Sequence, residues 1–173
     1  MYSVHSQVRT ATLAAAILLL VGSKPAPPQF QDAAPSADAL IERFMTALEH
    51  KDATALHRLR VTEDEYLKII LPGSVEKGEA LRKWPEQTCR YFWSEIDAKS
   101  LYTEEFLLGV FGGRTYQIKN VEYEKGTKEY ASYTAYRQLR LTLVRDDGEE
   151  RVLATGSIAE LNGQFKFLSF KRD

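Results

Sequence analysis

A single cysteine, three histidines and a run of acidic residues are the side chains whose spacing could support chemistry. A reactive thiol needs a histidine or a helix N-terminus beside it to hold the thiolate. Cys89 instead falls at i, i+3, i+4 and i+7 with Phe92, Trp93 and Ile96, an apolar helical stripe on which it is a small hydrophobe. As the only cysteine, it can form no internal disulfide. His50 and His57 are seven residues apart, with Asp52 between them placed to break the helix, so the pair is a poor metal site. Asp146-Asp147-Gly148-Glu149-Glu150 lacks the ligand spacing of a calcium loop. It reads as a charged hairpin tip that keeps strand ends in water. The phosphate loop, the dinucleotide glycine fingerprint, the His-Glu-x-x-His zinc motif and the Gly-x-Ser-x-Gly elbow are all missing. The residues therefore nominate no catalytic group, no metal site and no cofactor.

The elements that would position such groups are legible in outline. Leu139, Leu141 and Leu143 alternate with Gln138, Arg140 and Thr142, the period of two of a strand with one buried face. Asp146 to Glu149 supplies a turn and Val152 to Leu161 a returning strand, and Asn162-Gly163 suits the positive φ angles of a type I′ hairpin. Phe165 and Phe167 alternate on the last strand. Arg114 to Lys125 forms the first strand, where Val121 and Tyr123 fall out of step with Tyr116 and Ile118 and call for a bulge near Lys119-Asn120. The half before it is helical. Ser36 caps a helix to about Glu49 with an apolar stripe of Leu40, Ile41, Phe44, Met45 and Leu48. Asp52 caps a second short helix. Thr62-Glu63-Asp64-Glu65 is a capping box that opens a third, stopped by Pro72-Gly73. After a polar loop, Pro85 starts a helix to about Ala98, and a separate helix from Ser100 or Thr103 carries Leu107, Leu108 and Phe111.

Arg9, the apolar run Ala11 to Val21 and the small residues Val21-Gly22-Ser23 read as a signal peptide over residues 1–23. As a helix that run is about 17 Å long against about 30 Å of bilayer hydrocarbon, which is short for a span. The alternative is an uncleaved N-terminal anchor at the inner membrane. Residues 24–35, with Pro25, Pro27, Pro28 and Pro35, read as a Pro-rich tether, and residues 36–173 as a single domain. Hydrophobic residues at 44% with charged residues at 27% describe a chain that can fold rather than a disordered one. A net charge of -1 gives no basic surplus, which argues against nucleic acid as a partner.

Helices followed by an antiparallel sheet resemble the nuclear transport factor 2-like superfamily, whose members include ketosteroid isomerases and many exported bacterial domains. The likeness rests on the opening Ala39-Leu40-Ile41-Glu42-Arg43-Phe44-Met45-Thr46-Ala47-Leu48 with Asp52 and Leu56 after it. It rests equally on the closing Gly156-Ser157-Ile158-Ala159-Glu160-Leu161-Asn162-Gly163-Gln164-Phe165-Lys166. The resemblance implies an α+β fold, with N-terminal helices packed on a curved four-stranded sheet as a cone, and a pocket between them. In such a pocket Tyr116 and Tyr136 on the strands would orient a ligand, with Trp93 stacking from the helical side. No carboxylate matches the isomerase roles. The leading expectation is an exported, periplasmic or secreted, non-catalytic domain that binds a small apolar ligand or a protein partner, with a homodimer also open. The rivals are a small-molecule isomerase or hydrolase in the same cone and a structural partner domain held near the inner membrane.

Overall fold

The computed structural model describes residues 27–171; the stretch read as a signal peptide and the first residues read as a tether lie outside them. The first three helices start at side-chain caps. Ser36 Oγ accepts from Ala39 N–H at 3.0 Å and opens α1 (Ala37–Glu49), which buries Leu40, Ile41, Phe44, Ala47 and Leu48. Lys51 turns through a positive φ of 53° and Asp52 caps α2 (Ala53–Arg58), so His50 and His57 stand on separate elements. In the capping box Thr62 Oγ1 accepts from Glu65 N–H at 3.2 Å, while Glu65 Oε2 accepts from Thr62 N–H at 2.7 Å. This box opens α3 (Glu63–Glu65), followed by a π-helical turn over Tyr66–Ile70 and the short α4 (Leu71–Gly73).

The expected helix break near Ala98 is absent: α5 is one helix, Glu86–Val110. The hydroxyls that looked like caps point sideways instead. Thr103 Oγ1 donates to the carbonyl of Lys99 within the helix, and Ser100 Oγ accepts from Phe170 N–H at 3.2 Å and donates to Phe170 C=O at 3.3 Å.

Among the described residues, seven strands form two antiparallel sheets, which replace the expected single four-stranded sheet. One has the order β1-β4-β5, from β1 (Gln117–Tyr123), β4 (Leu139–Val144) and β5 (Glu150–Ala154). The other has the order β2-β3-β6-β7, from β2 (Thr127–Glu129), β3 (Thr134–Tyr136), β6 (Ile158–Leu161) and β7 (Gln164–Phe167). The chain passes between sheets at two irregular points. Gln138 takes a positive φ of 60° between β3 and β4. Between β5 and β6, Thr155 N–H donates to Leu139 C=O and Leu139 N–H donates to Gly156 C=O, so two residues face one in a bulge. A Cβ on Gly156 would stand 1.8 Å from the Ser169 carbonyl oxygen, and only glycine passes there. The run Val152 to Leu161 therefore divides into parts of two strands.

Other local signals are met as read. The register of β1 on β4 skips Lys119, which is the bulge. Asn162 and Gly163 both have positive φ, 52° and 77°, between β6 and β7. Leu139, Leu141 and Leu143 are all fully buried.

The four-stranded sheet is covered on both faces. Ile158 and Phe167 on one face join a first core with Phe44, Leu107, Phe111, Phe170 and the β4 leucines. Ala135, Ala159 and Leu161 on the other face join a second core with Tyr66, Ile69 and Ile70, against which Trp93 and Cys89 pack. Packing begins ahead of Ser36, within the stretch read as a tether. Phe30 and Ala34 are buried, and Ala34 exchanges backbone hydrogen bonds of 3.0 and 2.9 Å with Phe165.

Candidate functional site

Trp93, Tyr116 and Tyr136 do not meet. Trp93 lies against Tyr66, ring centroids 5.6 Å apart, in the second core. Tyr136 packs between Tyr123 and Phe165 on the opposite face of the four-stranded sheet, and Tyr116 packs on Phe111 with its hydroxyl buried and without a hydrogen-bond partner. The sheet itself separates Trp93 from Tyr136.

What the structure does assemble is a set of charged groups at the seam between the two cores. Arg60, Glu65, Glu104 and Lys166 are all buried. Arg60 sits where the chain between α2 and α3 pairs with β7, held by Phe167 N–H to Leu59 C=O at 2.9 Å and Val61 N–H to Phe167 C=O at 2.8 Å. Its Nη2 donates to Asp97 Oδ1 at 2.8 Å and to His57 Nδ1 at 3.1 Å. Its Nε stands 2.7 Å from Glu104 Oε1 as an ion pair, although that N–H is not aimed at the oxygen, and Nη1 has no hydrogen-bond partner. Asp97 and Glu104 come from the middle of α5, where Ser100 and Thr103 are also buried. The helix thus shows the seam a polar face between its two apolar ends.

Lys166 is the neighbour of this group. It stands on the same face of β7 as the second core, and its ammonium donates to Glu65 Oε2 at 3.0 Å. Glu65 also accepts from Gln31 N–H at 2.5 Å and Thr62 N–H at 2.7 Å. Three donors on one carboxylate satisfy it, so this pair fastens the N-terminal segment, α3 and β7 to one another.

A recess of about 200 Å³ opens beside the cluster, with His57, Arg60, Thr62, Trp93 and Lys166 among its walls. His57 reaches it with 54% of its side chain exposed. Its Nδ1 is contested: a ring protonated only at Nε2 accepts from Arg60 there, whereas a ring carrying both protons can donate to Glu104 Oε2, 3.4 Å away. Burial holds the Glu104 carboxyl above the ordinary range, against the pull of Arg60 and His57, with Asp97 adding to the upward push.

The sign of that shift gives a prediction. Between pH 4.5 and the raised value, the folded chain holds the Glu104 proton more tightly than the unfolded one. Its contribution to stability is fully present below 4.5 and is lost as pH rises through the folded value. The stability of the wild type relative to Glu104→Gln, from urea unfolding at a series of pH values, should therefore grow as pH falls toward 4.5. A difference independent of pH would mean an unshifted carboxyl.

A second surface feature lies at the other end of α5. Phe106, Val110 and Phe111 face Glu149, Arg151, Val152 and Ala154 of the β5 side across an open groove of about 470 Å³. Its lining is mainly apolar, and Val152 is 47% exposed. Among the described residues no group of three or more His, Cys, Asp and Glu is placed to hold a metal ion, and no helix is long and apolar enough to cross a membrane. No protein-family model, curated protein or solved structure matches the chain.

The sequence reading missed the ionic cluster, yet a signal was present. Trp93, Asp97, Ser100, Glu104, Leu107 and Phe111 continue one helical stripe at i, i+4, i+7, i+11, i+14 and i+18. Breaking the helix at Ala98 hides that register and leaves Glu104 looking like a surface charge.

Proposed function

We propose that this protein is an exported, non-catalytic domain that binds a protein partner on its surface. The observation that carries the reading is that the space between helices and sheet is full. Phe44, Phe167 and Phe170 meet there at centroid distances of 4.9 to 5.6 Å, all with no exposed surface. An apolar ligand would have to displace packed rings, so the small-ligand alternative loses its room and the exposed groove by β5 gains weight. Arg9 and the apolar run behind it support export. Kinship with the nuclear transport factor 2-like superfamily belongs to the same proposal, supported by helices that precede antiparallel strands.

One observation favours the isomerase or hydrolase reading: a buried carboxyl of raised affinity for its proton touches a half-exposed imidazole beside a recess. Against it, Arg60 already pairs with Glu104, and the recess of about 200 Å³ is smaller than the roughly 300 Å³ at which ligand clefts begin. The test is a panel of steroid, epoxide and ester substrates. The expected result is no turnover above background. Turnover that is lost in Glu104→Gln and retained in Glu160→Gln would establish the enzyme and end the non-catalytic reading.

A further inference from the structure

Four sheet edges are present among the described strands, and three of them are guarded. The β7 edge is paired with Ala34 and with the Leu59 to Val61 stretch. Beyond β2, Ala131 N–H donates to Val75 C=O at 3.1 Å, and Glu76 and Lys77 pair with Lys128 and Glu129. The β1 edge is bulged at Lys119, whose ammonium reaches across β4 to Glu150 of β5, so the bulge is what guards this edge. Bulges and edge lysines of this kind discourage a further strand.

The β5 edge is guarded only at its ends, by the charges of Glu150 and Arg151 and by the bulge at Thr155-Gly156, and the stretch Val152 to Ala154 between them carries neither. Because Thr155 and Leu139 form a hydrogen-bonded position, alternation gives the bonds to β4 to Leu153 and Arg151. The N–H and C=O groups of Val152 and Ala154 then point away from β4, and no described strand lies beyond them. Beside this edge runs the groove walled by Val110 and Phe111 of the α5 end. At about 470 Å³ it falls within the roughly 300 to 1,000 Å³ of clefts that hold ligands.

Resting on the partner-binding reading, we propose that the β5 edge takes up an extended segment of a partner protein as an added strand. Its backbone would bond to Val152 and Ala154, and its apolar side chains at alternate positions would enter the groove against Val110 and Phe111. Unpaired peptide groups select a backbone over a lipid or a small apolar molecule, and the apolar wall selects alternating apolar side chains. A second copy fits less well. Two-fold pairing about Arg151 sets like charges opposite one another. Pairing about Val152 brings the α5 ends of both copies over the same joint, since Leu107 and Phe111 pack on the face that Leu153 occupies.

The test uses a labelled ten-residue peptide of alternating valine and threonine, and the same peptide N-methylated at alternate backbone nitrogens. Saturable binding is expected for the first, with amide shifts in nuclear magnetic resonance concentrated at residues 150–155 and 108–112. At least a tenfold loss is expected on N-methylation. Val152→Pro, which removes an outward N–H, and Val110→Glu, which charges the wall, should each weaken binding at least tenfold while leaving the circular dichroism spectrum and Tm close to wild type. Two variants in different elements keep the test alive should one of them misfold. No binding at millimolar peptide, or equal binding of the N-methylated peptide, overturns the proposal. Self-association in sedimentation that Val152→Pro abolishes would identify a second copy as the occupant and also overturn it. Shifts confined to the Trp93 recess would overturn the β5 site while leaving partner binding standing, whereas turnover lost in Glu104→Gln defeats the broader reading whatever the peptide does.

Discussion

Arg60→Ala should lower the free energy of unfolding by about 3 to 5 kcal/mol, the cost of removing one member of a buried ion network. The guanidinium pairs with both Asp97 and Glu104, and the Glu104 side chain is only 7% exposed. Without Arg60 that carboxyl must take up a proton or drag water into the seam. Replacing both partners by apolar groups, as Arg60→Met with Glu104→Leu, should recover much of the loss, because no buried charge is then stranded. Urea unfolding of Arg60→Ala, of Arg60→Met and Glu104→Leu singly, and of the double variant measures this directly. A loss below about 1 kcal/mol for Arg60→Ala would mean that the seam is wet and the charges are already hydrated.

Phe44→Ala should cost a similar amount, about 3 to 5 kcal/mol, for a different reason. The ring lies at the centre of the first core, 5.2 Å from the Phe167 ring and 5.6 Å from that of Phe170. Those neighbours cannot close the gap easily. Phe167 is bonded through its backbone to Leu59 and Val61, and Phe170 to Ser100, so the cavity would persist. Phe44→Leu, which keeps most of the volume, should lose less than half as much. Equal losses for alanine and leucine would point to the specific ring contacts rather than to the cavity.

Signals that act within a few residues were legible in the sequence. The Thr62 capping box, the Asn162-Gly163 turn, the Lys119 bulge and the leucine alternation each depend on neighbours along the chain or on the next strand, and each stands as read. What escaped depends on distant backbone. Gly156 breaks the strand because Ser169 crosses it; a lone glycine inside a strand marks a bulge or a close approach, but not which distant backbone makes it. The charged seam escaped for the same reason. Lys166 alternates with Phe165 and Phe167, and with one face of β7 assigned to the core the other appears open to water. It is buried because a second core covers that face, and Glu65 awaits it there from 101 residues away. Trp93 and Tyr136 were placed in one pocket on the expectation of one sheet with one inner face; a sheet covered on both sides holds them apart.

The 25-residue helix α5 has a consequence for how the molecule comes undone. At 1.5 Å per residue it is roughly 37 Å long. Its first half packs on the second core through Cys89, Phe92, Trp93 and Ile96, and its last turns pack on the first through Leu107 and Phe111. Between them the contact is made by Asp97, Ser100 and Glu104, groups that water can replace. Local openings of the two ends are therefore separable, while loss of the whole molecule needs both cores to go. Amide hydrogen exchange should sort the helix into two classes of protection that meet near Ser100, and the seam becomes a boundary between cooperative units rather than the middle of one.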